Sequence, residues 1–415
     1  MFADFLITFR ESVLPQVLHF IFIAWPIWVP IAAVYVAFLT WLKYIRHAWV
    51  KAQGGVFLEV KLPQNVARSP AAMEFVLQGI WENANISTPA DAFWEGKMRE
   101  WFSLEIVSIG GNVHFYIWAF PRWKKIIEAR IYAQYPDAEV HEVEDYAMNL
   151  HYDPESFYYS AVNTALVKPD AYPINTYIEY ELHKKKGDEQ EEIVDPITPV
   201  LEYLATLKPG EVASFQILIR AHAKENWLYG RLETKKDWQE GIKEEIQKII
   251  EKEALIKPEK DKPPSLLALT DTQKTTIAAI QRNAGKLAFD TMVRLLYVAE
   301  NSVTDKTRLM GMIGSMRQFG SANMNGIKPI FPFSVTHVWQ DFNDIRKSKR
   351  FRELIDAYKR RAFFGEPHFH LHGKPYILST EEVATIYHFP GAVATTPTLN
   401  RIPSKKAEAP ANLPI

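Results

Sequence analysis

The stretch SLEIVSIGGNVHFYIWA, residues 103–119, decides the fold that the sequence predicts. Apolar and polar residues alternate on both sides of Gly110, Gly111 and Asn112, a pattern typical of two antiparallel strands joined by a tight turn. The turn requires positive φ angles, which glycine and asparagine adopt at low cost. We therefore expect a β-hairpin with strands over 103–109 and 113–119.

Further elements flank the hairpin on both sides. Alternation predicts a strand over 56–62, and Pro70 opens a predicted helix that ends near Ile80. Beyond the hairpin, Pro121 opens a helix that runs to Tyr135, and a last strand covers 138–143. The resulting order β-α-β-β-α-β is that of a ferredoxin-like sandwich, the split βαβ. This first domain is expected over residues 52–145.

The same order recurs later in the chain with an insertion. The second domain is expected over 172–340, and a charged, exposed helical arm is expected over its inserted residues 222–286. The predicted fold class is therefore α+β, with an N-terminal transmembrane helix followed by two ferredoxin-like (split βαβ) sandwiches, the second carrying the helical insertion. The elements predicted for the second sandwich are strands over 176–182, 212–220, 289–299 and 328–336 and helices over 196–207 and 304–317.

An apolar run without formal charge precedes both domains, at residues 17–42. At about 1.5 Å per residue it is long enough for a hydrocarbon core of about 30 Å. A signal peptide is the competing interpretation, but the basic start and the small-residue cleavage site are missing. We therefore expect a transmembrane helix over 17–42.

The flanking charges predict the orientation of this helix. Lys43, Arg46 and Lys51 follow the run. On the short N-terminal side, Arg10 is the one basic residue, and Asp4 and Glu11 offset its charge. The positive-inside rule then predicts a single-pass protein of the inner membrane, with its N-terminus outside and residues 43–415 in the cytoplasm. Residues 1–16 are expected either to lie along the outer interface or to form a frayed helix start.

Composition excludes several classes of site. The 415 residues contain 48 Lys and Arg, 49 Asp and Glu, and no cysteine. The absence of cysteine excludes disulfides, thiolate metal sites and a cysteine nucleophile. A formal net charge of −1 gives no global attraction to nucleic acid, so binding of a polyanion would need a local basic patch.

One such patch occurs within 341–361, on a predicted helix. Its side chains could contact phosphate, anionic lipid or an acidic partner surface, and the alternative is a solvated helix face. Phe351, Leu354, Ile355 and Tyr358 supply an apolar stripe that would dock the helix in either case. The basic residues are Arg346, Lys347, Lys349, Arg350, Arg352, Lys359, Arg360 and Arg361.

The segment 341–377 also contains His368, His370 and His372. On a strand these three imidazoles would share a face and could bind zinc, nickel or copper. Pro367 makes the local backbone irregular, so a structural or exposed role is favoured and we expect neither a metal nor a cofactor. Phosphate-binding, serine-hydrolase and zinc-protease motifs are absent from the sequence, which predicts a protein that is not an enzyme.

Five stretches resemble a known family. The stretches are WEGKMREWFSLEIVSIGGNVHFYIW (94–118), IEARIYAQYPDAEV (127–140), RLLYVAE (294–300), GSMRQFGSANMNGIKP (314–329) and LSTEEVATIYHFPGAVATTPTLNRIPSKKAEAPANLP (378–414). They resemble the membrane-anchored N-terminal region of type IV secretion coupling-protein-like ATPases, the TraD/TraG and HerA/FtsK-like group, especially those of candidate-phyla bacteria. The resemblance covers roughly residues 55–415.

The resemblance implies a partner. In the fused relatives, the last of these stretches leads into the P-loop motor domain, whereas this sequence stops at Ile415. The resemblance therefore implies a separately encoded P-loop motor ATPase that is docked by residues 378–415. It also implies that this protein forms a homo-oligomeric ring with the motor. No catalytic residue carries over, because those residues lie in the motor. The docking residues expected are Ser379, Glu382, His388, Phe389, Pro390 and Gly391.

Local patterns give some of these docking residues structural roles as well. S-T-E-E at 379–382 is a capping box for a following helix, and His388 is expected to cap or pack at the end of that helix. The motif therefore predicts a helix at the start of the docking segment.

The sequence thus predicts a non-catalytic inner-membrane anchor and scaffold for a DNA or protein translocation motor. Its expected partners are the P-loop ATPase, the lipid bilayer and, through the basic helix, DNA. Two alternatives remain open: a membrane scaffold unrelated to DNA transfer, and a metal-dependent membrane enzyme built on the three histidines.

Overall fold

The computed structural model describes most of the chain. The described residues are 15–16, 19, 23–63, 68–82, 86, 88–183, 195–223, 238–253, 269–330, 341, 344–391 and 401–402. The predicted interfacial segment 1–16 therefore lies almost wholly outside them, as does most of the tail after Gly391.

Strands account for the framework of the molecule. Those of the described residues are β1 (Val56–Pro63), β2 (Phe102–Ile109), β3 (Asn112–Ala119), β4 (Glu139–Glu142), β5 (Phe157–Leu166), β6 (Glu211–Ala221), β7 (Ala288–Glu300), β8 (Ile327–Ile330), β9 (Tyr376–Ser379) and β10 (Arg401–Ile402).

Helices connect and cover these strands. They are α1 (Trp25–Gln53), α2 (Ala71–Gly79), α3 (Pro89–Phe93), α4 (Lys124–Gln134), α5 (Thr198–Ala205), α6 (Trp238–Glu253), α7 (Asp271–Ala284), α8 (Arg308–Gly314), α9 (Ile345–Lys359) and α10 (Thr380–Ile386), with short 3₁₀ turns at Pro121–Trp123, Tyr146–Asn149 and Arg317–Phe319.

The strands form one large sheet. Its order is β10-β1-β3-β2-β6-β7-β5-β8, with β4 also paired to β1 and β9 to β7. All of these pairs are antiparallel except β1 with β10. Strand β2 belongs to residues 52–145 and β6 to the residues that follow. These two strands pair with each other, from Phe102 with Ile219 to Ile109 with Val212. The two predicted sandwiches therefore share one continuous sheet.

The hairpin that the sequence predicted is confirmed. Gly110 and Gly111 have φ angles of 59° and 91° and join β2 to β3. At Gly111 a Cβ atom would also lie 2.6 Å from the carbonyl oxygen of Leu207, so the position excludes a side chain for two reasons. Asn112 already belongs to β3 and does not need a positive φ.

The strand predicted over 176–182 is wrong. Residues 177–183 form turns, and the strand that enters the sheet is β5, which lies between the two predicted domains. The two tyrosines of this segment serve other contacts. The Tyr177 hydroxyl donates to the Glu74 carboxylate at 2.6 Å, and the Tyr180 hydroxyl donates to the carbonyl of Gln318.

The sheet has two covered faces. One face packs against α2, α4, α5, α8 and α10 in the main hydrophobic core. The opposite face packs against α9, where Phe351, Leu354, Ile355 and Tyr358 meet Tyr159 and Leu296 of the sheet. The apolar stripe predicted for this helix is therefore confirmed.

The expected exposed arm within 222–286 is instead a packed helix pair where the structure describes it. Trp238, Ile242 and Ile249 of α6 share a small core with Ile277 and Ile280 of α7. The charged face of α6 was correctly predicted, but its apolar stripe needs a partner, and α7 supplies it. Residues 224–237 and 254–268 of the insertion lie outside the described residues.

The segment from Leu378 to Pro390 belongs to the core, contrary to its expected place outside the sandwiches. β9 pairs with β7, and residues 379–390 are all buried. Val383, Ala384, Ile386, Tyr387 and Phe389 are members of the main core, where α10 packs on α2. The sequence placed this segment outside because the tail 378–415 is Pro-rich and follows both predicted sandwiches, but the apolar side chains from Leu378 to Phe389 are buried in the core.

The N-terminal helix is long and apolar enough to cross a membrane. The described helix α1 has 29 residues, and only 6% of its most apolar window is buried. At 1.5 Å per residue it is about 44 Å long. It ends at Gln53 rather than at the predicted Leu42, and its C-terminal part packs on the domain through Leu42 and Ile45.

Two truncations test the corrected role of the C-terminal segment. Removal of residues 378–415 deletes six core side chains. Four of them, Leu378, Val383, Ile386 and Phe389, are each worth about 1.5–3 kcal/mol of burial, a sum comparable to the whole stability of an ordinary domain. We expect this variant to lose its cooperative thermal transition, measured by circular dichroism in detergent.

The matched control removes only residues 392–415. It should retain the transition within a few degrees, because α10 stays in place and, within the described part of the chain, the two-residue β10 pairing is all that is lost. A cooperative transition in the longer truncation would show that α10 is not part of the folded core.

Candidate functional site

The basic helix α9 is held at its start by a carboxylate. Asp341 accepts hydrogen bonds from the backbone N–H groups of Arg346 and Lys347, both at 2.8 Å. These amides are among those that an α-helix leaves without an internal partner. A protein carboxylate therefore already occupies these backbone N–H groups of the first turn. A polyanion would be bound by the basic side chains of α9 instead.

Most of the predicted basic residues face solvent. Arg346, Lys347, Lys349, Arg352 and Arg360 are exposed, whereas Arg350 and Lys359 are half-buried. We define the basic face as Arg346, Lys347, Lys349, Arg350 and Arg352.

Acidic neighbours offset part of this charge. Lys347 lies 3.7 Å from Asp344, and Lys349 lies 4.0 Å from Glu353. Arg352 has an aromatic neighbour instead, with its guanidinium 5.6 Å from the centroid of the Tyr152 ring. Exposed pairs at such distances contribute little. The exposed side chains of the basic face, Arg346, Lys347, Lys349 and Arg352, are therefore accessible to a polyanion.

The basic face lies beside a small aromatic cavity. The cavity has a volume of about 290 Å³, and its lining includes Lys347 and Ser348 of α9. Asp344 also lines the cavity, so the two charged lining residues have opposite signs, and the aromatic walls suit a planar group. The aromatic residues of the lining are Tyr152, Phe157, Tyr158, Tyr159 and Phe351.

This cavity is far from the place where α1 joins the sheet. Phe157, in the cavity wall, pairs with Glu300 at the end of β7. Helix α1 adjoins the other end, where the Trp49 ring lies 5.9 Å from that of Phe120, directly after β3. Thr291, near that end of β7, is nine positions before Glu300, a separation of about 30 Å along a strand at about 3.3 Å per residue.

Arg361 does not belong to the basic face, contrary to its assignment from sequence. Its side chain is completely buried and its guanidinium bonds Glu105 of β2 at 3.0 Å and Asp145 at 2.8 Å. The guanidinium also lies 4.7 Å from the centroid of the Phe57 ring. The reason is positional, because Arg361 follows the last turn of α9 with a φ of 50°, which turns it into the sheet.

The charges of this pair stabilise each other in the interior. Burial by itself would raise the pKa of Glu105, but the charge of Arg361 and hydrogen bonds from Arg361, Ser103 and Tyr146 hold that pKa below its ordinary value. Burial would lower the pKa of Arg361, but Glu105 and Asp145 raise it. Both groups are therefore ionised, and removal of one leaves the other charged without its partner.

A polar row crosses the sheet at the same level. Gln216 of β6 pairs in register with Glu105 and with Arg294 of β7, which pairs with Asn163 of β5. Their side chains are all buried and hydrogen-bonded, with Gln216 donating to Glu105 at 3.1 Å and Arg294 to Gln216 at 3.1 Å. We missed this row in the sequence. The signal was a charged or amide residue near the middle of each apolar strand.

The three histidines do not form the strand that a shared metal site would need. His370 and His372 have φ angles of 52° and 54°, in a region of turns. His368 instead lies 2.6 Å from the Asp356 carboxylate, and the His370 ring stacks on Phe369. No group of three or more metal-binding side chains occurs among the described residues.

The predicted docking residues are buried apart from Gly391, which is half-buried. Ser379 and Glu382 form the capping box of α10, as the motif predicted. The Nδ1 of His388 lies 3.0 Å from the carbonyl of Ala384, and its Nε2 lies 3.0 Å from the carboxylate of Asp195. The capping and packing role predicted for His388 is confirmed, and Phe389 and Pro390 are likewise inaccessible to a partner in this structure.

Buried carboxylates link α10 to its neighbours. Glu74, Glu381 and Glu382 are each at most 4% exposed. Lys286 lies 2.6 Å from Glu74 and 3.5 Å from Glu381, while Asn283 donates to Glu382 at 3.0 Å. Burial raises the pKa of Glu382 to about 7. These groups tie α2, α7 and α10 together, an arrangement that the sequence did not reveal because its members are far apart in the chain.

Comparison with known proteins adds one finding. The sequence model of a family described as a domain of unknown function (DUF8128) matches residues 50–401, and no curated protein matches the chain. The match begins near the end of α1 and reaches β10. It therefore covers the whole described sheet and excludes the exposed apolar part of α1.

The buried ion pair can be tested by a double-mutant cycle. Arg361→Met should lower the free energy of unfolding by about 3–5 kcal/mol, because Glu105 is left buried without its cation. The double variant Arg361→Met, Glu105→Gln should be destabilised by less than the sum of the single effects, as measured by urea denaturation.

Lys349→Met is the matched control, since this side chain is 77% exposed. It should change the free energy of unfolding by less than about 0.5 kcal/mol. Additive effects of the two core substitutions would contradict the direct coupling of Arg361 and Glu105.

Proposed function

The chain belongs to the DUF8128 family, and we propose that it is a non-catalytic inner-membrane scaffold for a P-loop ATPase carried by another chain. The machine would be a type IV secretion or conjugation-like translocator of DNA or protein. The observation that carries this proposal is α1, which exposes an apolar run and at its other end packs on a large sheet domain. The resemblance of residues 55–415 to the anchored region of coupling-protein-like ATPases supplies the motor partner.

The anchor proposal rests on exposure. In α1 the large apolar side chains from Trp25 to Trp41 are exposed, and such a surface is stable in lipid rather than in water. The cations Lys43, Arg46 and Lys51 follow at its end. We propose a single-pass helix with its N-terminus outside and the sheet domain in the cytoplasm.

The strand order supports an interpretation of the domain as two ferredoxin-like units. The order β4-β1-β3-β2 places the first and third strands of the first half side by side, with the fourth and second outside them. The order β8-β5-β7-β6 repeats this arrangement in the second half. We propose that the chain fuses two split βαβ units edge to edge, which makes one broad platform above the membrane.

A scaffolding role agrees with the use of the charged groups described above. Arg361, Glu105 and the carboxylates around Lys286 connect elements that are distant in sequence, and their partners are protein groups. Asp290 likewise holds Arg220 at 2.7 Å and His222 at 2.7 Å. We assign these clusters to stability rather than to catalysis.

The buried position of residues 379–390 moves the proposed motor contact further along the chain. A partner cannot reach Ser379, Glu382 or His388 without unfolding α10. We therefore propose that the ATPase contacts the residues after Gly391, and that motor and scaffold assemble as a homo-oligomeric ring.

The basic face is proposed to meet DNA or the motor rather than lipid headgroups. It lies about 30 Å along the strands from the end of the sheet that adjoins α1, and screening in physiological salt acts over about 8 Å. Phosphate contacts from lysine and arginine need no sequence-specific geometry. The neighbouring aromatic cavity would favour unpaired bases.

The proposed partner can be identified by affinity purification from gently solubilised native membranes. Full-length protein should recover a stoichiometric P-loop ATPase, detected by mass spectrometry. The variant lacking 392–415 should fold and insert but recover at least about tenfold less ATPase, since a loss of about 1.4 kcal/mol already has that effect.

Two outcomes would contradict parts of this proposal. Undiminished recovery by the truncated protein would place the motor contact on the sheet domain. Recovery of the scaffold alone, at native expression, would favour a membrane scaffold unrelated to DNA transfer.

Charge reversal tests the basic face. Lys347→Glu with Lys349→Glu should weaken binding to single-stranded DNA and reduce the slope of log K against log salt by about 1–2, because two phosphate contacts are lost. Fluorescence anisotropy at several salt concentrations measures both quantities.

Lys248→Glu on α6 is the matched control, with a side chain 52% exposed, and it should leave both quantities unchanged. If the reversed and control variants bind alike, the face is a solvated helix surface, the alternative that the sequence left open.

A further inference from the structure

The most exposed large apolar side chain in the described part of the chain is not on the apolar helix. It is Trp94, which is 76% exposed and directly follows the short helix α3. An indole in water exposes more apolar surface than most side chains, and tryptophan is enriched where membranes meet water. The position of Trp94 relative to α1 therefore matters.

Trp94 lies beside α1 at the point where that helix reaches the domain. The rings of Trp94 and Trp41 have centroids 5.9 Å apart, and the rings of Phe93 and Phe38 are equally close. The Trp41 indole donates to the carbonyl of Phe93 at 3.0 Å. The loop and the helix thus present their aromatic side chains at one level.

That level is the end of the apolar run. A hydrocarbon core is crossed by about 20 residues of α-helix, and the large apolar side chains of α1 from Trp25 to Trp41 are exposed. Towards the C-terminus, Lys43 follows at once and the buried residues Leu42 and Ile45 begin the contact with the domain. Trp41 therefore occupies the position of an interfacial aromatic residue.

The loop is held in this place by tight packing. Gly96 has a φ of 68°, and a Cβ atom there would lie 2.6 Å from the carbonyl carbon of Ile45. Thr88 and Asp91 form a capping box at the start of α3. A backbone pressed this closely against α1 cannot move away from the bilayer independently of the helix.

The charged residues of the loop are two acids and one lysine, and the lysine pairs with both acids. Lys97 lies 2.7 Å from Asp91 and 2.8 Å from Glu95. The loop therefore offers apolar and aromatic surface with little free charge. Such a surface fits the boundary between headgroups and acyl chains of a zwitterionic lipid rather than an anionic polymer.

We infer that the loop of residues 88–97 is a second membrane contact, inserted through Trp94 into the lipid interface beside α1. This inference rests on the proposed membrane anchor and goes beyond it. A single helix would leave the sheet domain free to rotate about its axis. A second contact fixes which edge of the sheet faces the membrane and which end faces away.

The absence of cysteine allows a direct test on the full-length protein. One introduced cysteine can carry an NBD fluorophore at a chosen site, in vesicles of phosphatidylcholine containing lipid with a nitroxide high on the acyl chain. The test site is Ala90→Cys, one helical turn before Trp94. Val34→Cys in α1, 69% exposed, reports on the anchor, and Met310→Cys in α8, 61% exposed, reports on a remote surface.

We expect strong quenching at positions 34 and 90 and none at 310. Adding Trp94→Ser should lower the quenching at position 90 by about twofold or more, because the apolar contact is lost, whereas Phe75→Ser on α2 should leave it unchanged. Raising the salt from about 0.05 to 0.5 M should not reduce the quenching, since no charge pairing is involved.

The outcomes separate this inference from the proposed anchor. Quenching at 34 but not at 90 would overturn the second contact and leave the anchor intact. No quenching at 34 would remove the anchor itself. A label at 90 that is shielded from the nitroxide lipid and equally from aqueous iodide would indicate a second copy of the chain on this loop, and would also overturn the inference.

Discussion

The antiparallel pairing of β2 with β6 is the interaction on which the rest of the structure depends. It joins two strand sets, each of which would otherwise end in a long unpaired edge at this position. Exposed edges invite pairing with other chains, and pairing within the chain removes that hazard at the centre of the sheet. Because β2 and β6 become central strands, both of their faces are covered, and their side chains are buried along almost the whole length.

This burial explains why a polar row can exist there. Glu105 and Gln216 lie opposite each other across the junction, and each is completely buried. Such groups are tolerated only when they are hydrogen-bonded and, if charged, paired. Arg361 supplies the pairing cation from the end of α9, so the strand junction and the position of the basic helix are coupled. The basic face is thereby held at the far end of the sheet with respect to α1.

The same sheet separates the proposed functions in space. Lipid contact is assigned to α1 and the loop around Trp94, and polyanion contact to the basic face about 30 Å further along the strands. Contact with a motor is assigned to the chain after Gly391, because the preceding residues are required for the core. A rigid platform that keeps these three surfaces apart is suited to holding a translocation motor at a fixed distance from a bilayer.

The sequence by itself determined the local structure. The apolar run of α1, the glycine turn of the β2–β3 hairpin, the capping box at Ser379 and the apolar stripe of α9 all depend on neighbouring residues, and all were predicted. The tertiary structure alone decided which strand enters the second half of the sheet, that Arg361 points inward and that α10 is buried. These features depend on partners such as Glu105 and Glu74, more than two hundred residues away in the chain, and periodicity within a short window carries no information about such contacts.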